Sequence, residues 1–168
     1  MHPKLEEIRT TLLSVTEGMT PDQWSQHPEG KWSAAEVLEH LSLTYGRTAE
    51  GFRRVLAAGK PNATPLQLKQ RLAIFWVVEM GQFPEGREAP KHVRPSGGQD
   101  GAKILAETLD HLTQMDEALT ACEEGFGAST RLLDHSILGA LSAPQWRKFH
   151  AIHAHHHAPQ IERLRRQA

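Results

Sequence analysis

Residues 149–164 read FHAIHAHHHAPQIERL, and positions 150 to 157 hold five of the chain's eleven histidines. A helix turns about 100° per residue, so His153 and His157 share one side a turn apart, while His155 points nearly opposite. The apolar stripe agrees with that phase. Trp146, His150, His153, His157, Ile161 and Leu164 recur at steps of three and four, which predicts a helix from Ser142 to about Arg165. Pro159 within it removes a backbone donor and clashes with the carbonyl of residue 155, so a local kink is expected. Two imidazoles at i and i+4 suit one metal ion, but ions of the zinc type generally take at least three protein donors. A third ligand must come from elsewhere. His155 is expected in solvent and His156 on a flank, and His150 reads either as a core residue or as a partner behind a ligand. An appended tag is a poor explanation, because only three histidines are consecutive and helical sequence continues past them.

Working outward, Leu5, Ile8, Leu12, Val15 and Met19 mark a first amphipathic helix ending near Gly18. Thr20 and Pro21 then start a short helical turn. In KWSAAEVLEHL, residues 31–41, Ser33 and Glu36 have the spacing of a capping box, so the second long helix begins there. Its stripe runs through Val37, Leu41, Tyr45, Thr48, Phe52 and Val55, and Gly59 with Pro61 stops it. PLQLKQRLAIFWVVEM, residues 65–80, predicts a further helix, although AIFWVV by itself also suits a buried strand. Residues 81–100, rich in glycine and proline, predict a long loop without regular structure. Leu105, Leu109, Leu112, Met115, Leu119 and Cys122 give another helix, closed by GFGAST. Strands are nearly absent from this reading. The fold class expected is all-α, an antiparallel four-helix bundle in one domain over residues 1–168.

The third ligand candidate is His40, which neighbours Leu41 on the packed side of the second long helix; a lone histidine there equally reads as an ordinary core residue. Together, KWSAAEVLEHL and the distant DHSILGALSAPQWRKFHAIHAHHHAPQIERL resemble the DinB-like superfamily of metal-binding four-helix bundles. The specific elements are Trp-Ser-x-x-Glu-x-x-x-His-Leu at the start of the second long helix and the final His-x-x-x-His-x-x-Gln-Ile. The resemblance implies a metal held by His40, His153 and His157, with His150 and Gln160 as candidates to support the ligands from behind. It also implies a long crossover, here residues 60–100 with its extra helix, and Phe83, His92 and Arg94 are expected to approach the cavity mouth as a lid.

Three neutral imidazoles leave a divalent ion, zinc or nickel foremost, with an open position for water or substrate. Similar proteins include thiol-dependent transferases and isomerases, so a small-molecule substrate and a low-molecular-weight thiol are the expected partners, with metal-assisted hydrolysis as the lesser reading. The alternative is a bundle, stress-linked or not, whose metal is purely structural. Cys122 on its helical stripe reads as core, and Trp24, Trp32, Trp76 and Trp146 as packing. Glu36 is spent on capping and Glu39 reads as a solvated charge.

Composition bounds these readings. The chain has 168 residues, 39% hydrophobic and 23% charged, a globular balance. Nineteen basic against twenty acidic residues leave a formal charge of -1, which gives no general reason to bind nucleic acid or an anionic membrane. MHPKLEEIRT lacks the apolar core of a secretory signal, and the lone Cys122 suits a reducing compartment, so a cytoplasmic protein is expected. LAIFWVVEM, residues 72–80, carries more apolar surface than one stripe needs, which suggests a homodimer contact.

Overall fold

The computed structural model describes residues 1–83 and 88–167. Among these, six α-helices follow in chain order: α1 (Pro3–Thr16), α2 (Pro21–Ser25), α3 (Ala34–Ala58), α4 (Leu68–Ile74), α5 (Gly101–Phe126) and α6 (Ala143–Gln167). A small antiparallel hairpin, β1 (Arg131–His135) and β2 (Gly139–Ser142), joins α5 to α6. The fold is all-α in its architecture, four long helices around one core, and no described helix is long and apolar enough to cross a membrane.

Local chemistry sets the helix starts. The Ser33 hydroxyl accepts from the Glu36 N–H at 3.2 Å while Glu36 returns a carboxylate oxygen to the Ser33 N–H at 2.8 Å, the capping box expected of α3. Thr20 and Gln23 make the same reciprocal pair at α2. α1 ends at Thr16, and Gly18 leaves it at a φ of 66°.

Side-chain pairings give the helix directions. Leu38 lies beside Thr108, Ser42 beside His111 and Phe52 beside Cys122, so α3 and α5 run parallel. Tyr45 faces His150 and Phe52 faces Trp146, so α6 opposes α3. A short turn forces its two helices antiparallel, and the long crossover between α3 and α5 is what permits this parallel pair. The core between them buries Leu12, Leu38, Leu41, Phe52, Leu112, Met115, Leu119 and Ile161 completely, each contributing on the order of 2 kcal/mol of transfer free energy. Cys122 is part of that core, its thiol pushed up by burial, as expected of a packing residue. Arg147 of α6 is buried too, held by the carboxylates of Asp116 and Glu123 and by the Thr120 hydroxyl at 3.0 Å.

The crossover departs from expectation in three places. The apolar segment is helical rather than a strand, but α4 passes into a π-helical turn over Phe75–Glu79. Trp76 is 56% exposed and does not pack as expected; Leu68, Leu72, Phe75 and Met80 share this open surface. Within the segment 81–100, of which residues 84–87 lie outside the described residues, a 3-10 turn forms over Lys91–Val93. Glu39 is not a solvated charge. Its buried carboxylate accepts from the Ser96 N–H and hydroxyl and the Gly97 N–H, which ties the end of the crossover to α3.

The hairpin is the element the sequence reading passed over. Its strands are five and four residues long, with a register irregularity between Arg131 and Leu133, so the periodic signal is too short to stand out. Gly139, at a φ of 76°, returns the chain after the turn. The Asn62 N–H donates to the Leu132 carbonyl at 2.9 Å, and Thr64 donates twice to the Asp134 carboxylate, so the hairpin anchors the start of the crossover. α6 continues as helix on both sides of Pro159, which is exposed.

Candidate metal centre

His40 sits two turns into α3, and His153 and His157 lie one turn apart on α6, the helix opposing it. All three are buried, at 4%, 5% and 8% exposure. The Nε2 atoms of His40 and His153 are 3.2 Å apart and those of His153 and His157 3.1 Å apart. One ring nitrogen from each lies within 4.8 Å of the others, and the trio is the group of potential metal ligands among the described residues.

The far sides of the rings settle which nitrogen faces inward. His40 donates its Nδ1–H to the Val93 carbonyl at 2.8 Å, and His157 donates its Nδ1–H to the Gln160 amide oxygen at 3.1 Å. Both therefore present an Nε2 lone pair to the centre, where His153 Nε2 has at most one proton to share. That is a shortage of donors among buried nitrogens, and a cation relieves it. The spacing fits as well: a tetrahedral ion with Zn–N bonds of about 2.05 Å sets its nitrogens about 3.3 Å apart. Burial holds the imidazoles neutral, as ligation requires. It lowers His40 against the opposing Val93 hydrogen bond, takes His157 down to about 4, and takes His153 well below the ordinary value with the neighbouring histidines adding to the effect.

A cavity of about 430 Å³ adjoins the three histidines. Trp32, Phe83, Trp146 and Phe149 make its aromatic walls, and Arg47 and His135 add polar groups. Phe83 stacks on His153 at 5.3 Å and lies 4.7 Å from His156. The hairpin comes so close to α3 that a Cβ on Gly51 would stand 2.5 Å from Leu133 Cδ2, which explains glycine at that position.

The other expected site residues divide. Gln160 hydrogen-bonds His157. His150 is fully buried, stacked on Trp146 at 5.6 Å with Tyr45 at its edge, and it hydrogen-bonds none of the three histidines. Phe83 and His92 border the cavity. Arg94 does not, which corrects the expected lid: its guanidinium is taken by the Glu88 carboxylate at 2.7 Å and the Ala89 carbonyl at 2.8 Å. His155 is exposed and pairs with Glu7 at 3.3 Å. Trp32 and Trp146, read as packing alone, are also cavity wall, and Trp32 lies 5.2 Å from His40. His135 was missed because an isolated histidine in a short strand carries no periodic signal.

No curated protein and no solved structure matches the chain. A family model does, that of the DinB superfamily, over residues 4–161, nearly the whole length. With four long helices, a crossover between the second and third, and three buried histidines on α3 and α6, the chain belongs to the DinB superfamily.

Proposed function

We propose that the protein is a metal-dependent enzyme in which Nε2 of His40, His153 and His157 bind one divalent cation, zinc or nickel, and a small molecule reacts in the adjoining cavity. The observation that carries this reading is the convergence of three neutral imidazoles on the wall of a 430 Å³ cavity. A site serving structure alone is normally closed by a fourth protein ligand. The cavity volume falls in the range of small-molecule sites, and its aromatic lining is of the kind that excludes water from a bound substrate.

A divalent ion with three imidazole ligands supplies Lewis acidity at its remaining position, which acidifies a bound thiol or water. The chain's own residues prepare that position. Val93 and Gln160 fix the tautomers and ring orientations of His40 and His157, and Phe83 and Phe149 stack on His153. A thiol cosubstrate is favoured over water because the cavity offers little in the way of a general base. Glu88 borders it but is engaged with Arg94, and Glu39 is engaged with Ser96 and Gly97. A thiol loses its proton far more readily than water does, so it needs less help.

The test is a cobalt-substituted protein titrated with low-molecular-weight thiols. One equivalent of cobalt and a new thiolate-to-metal charge-transfer band are the expected result. A spectrum that no thiol changes supports the structural-metal reading instead. We also propose that the exposed surface of Leu68, Leu72, Phe75, Trp76 and Met80 pairs with a second copy of the chain, since a patch of that size is costly to leave in water.

A further inference from the structure

The hairpin turn holds His135 in one tautomer. Its Nδ1 accepts the backbone N–H groups of both Ile137 and Leu138 at 3.2 Å, so the ring proton resides on Nε2. Phe149 at 4.5 Å and Trp146 at 5.4 Å clamp the ring, which borders the same cavity as His40, His153 and His157. Nε2 makes no hydrogen bond with any described residue, and it is not among the fully buried nitrogens that lack a partner, so it opens onto that cavity. Around it stand Trp32, Phe83, Trp146 and Phe149, with Arg47 the cationic group.

A fixed N–H donor among flat apolar walls recognises a flat apolar molecule with an acceptor oxygen. We infer that the cavity takes a small aromatic molecule bearing a carboxylate or carbonyl oxygen, and that His135 Nε2–H binds that oxygen. The inference rests on the proposed function only in taking this cavity as the substrate's. Burial pushes the His135 imidazole down to about 4, with His92 adding to the effect, so the ring stays neutral near pH 7 and serves as a donor rather than a base.

Two substitutions separate the two nitrogens. In His135→Asn the side-chain oxygen stands where Nδ1 stood and still accepts from the turn, but the cavity donor is gone. In His135→Gln the amide N–H extends to the place of Nε2 while the turn loses its acceptor. Calorimetry with benzoate, on metal-free and on zinc-loaded protein, is expected to show binding to the wild type that His135→Asn weakens about tenfold. His135→Gln should weaken it by less than about threefold, and toluene, the ring without the oxygen, should bind all three alike. Long-range 15N–1H spectra should place the His135 proton on Nε2. Equal benzoate affinity in wild type and His135→Asn overturns the inference, as does an Nδ1–H tautomer, a wild type that ignores benzoate, or a greater loss in Gln than in Asn. Should His135→Asn not fold, the Gln variant and the spectra decide. Failure of zinc uptake would end the metal reading and leave the metal-free comparison intact.

Discussion

The Nδ1–H of His40 donates to the Val93 carbonyl oxygen at 2.8 Å, so the crossover, fifty-three residues further along the chain, orients an imidazole of α3. The contact links the part of the chain with the least regular structure to the part with the most specific chemistry.

Alanine at His40, His153 or His157 should each remove most of the bound metal, read by elemental analysis of protein purified without a tag. Each should also lower the melting temperature of the metal-loaded protein, because the ion stabilises only the folded state. His155→Ala should change neither, since that ring is exposed and engaged with Glu7. Metal loss in His155→Ala with a full equivalent in His40→Ala would reverse the face assignment.

Gln160 acts one step behind the metal. Gln160→Leu removes the acceptor for the His157 Nδ1–H and should weaken metal binding about tenfold to a hundredfold, measured by chelator competition, without unfolding the bundle. Unchanged affinity would mean that α6 alone orients the ring.

The histidines make the metal-free fold acid-sensitive. His135 and His157 are held down to about 4 and His150 to about 3, chiefly by burial, against 6.5 for an ordinary imidazole. Between those limits the unfolded chain binds protons that the folded chain does not, so stability is full above about 6.5 and falls as pH drops toward 3 to 4. Each histidine contributes a slope of up to about 1.4 kcal/mol per pH unit. Urea titrations from pH 8 to pH 4 should show the decline, and His150→Phe, which keeps the stack on Trp146, should flatten it. A flat profile in the wild type would contradict the burial of these rings.

Arg147 closes the opposite side of the core. Arg147→Met strands the buried Asp116 carboxylate, which also accepts the His2 backbone N–H at 2.8 Å, and should cost about 3–5 kcal/mol in denaturant unfolding. The double change Arg147→Met with Asp116→Asn should recover part of that loss.

The open surface on α4 and the π-turn predicts association. Light scattering should give a dimer at micromolar concentration, and Phe75→Glu with Trp76→Glu, both at exposed positions, should give a folded monomer. A wild-type monomer would remove the contact as a stable interface.

The sequence by itself determined whatever depends on near neighbours along the chain. Helical period and capping chemistry act within four residues, so the Ser33–Glu36 box, the stripe of α3 and the shared face of His153 and His157 were legible. The resemblance joined His40 to that pair, and the two helices do bring the three rings together. Tertiary structure alone decided what depends on distant partners. Val93 as the acceptor for His40, Glu39 as an anchor for Ser96 and Gly97, the turning of Arg94 onto Glu88, and His135 on the cavity wall each join residues by packing. The parallel course of α3 and α5 belongs with them. Such contacts carry no period, because the fold of the whole chain selects them and no local pattern repeats them.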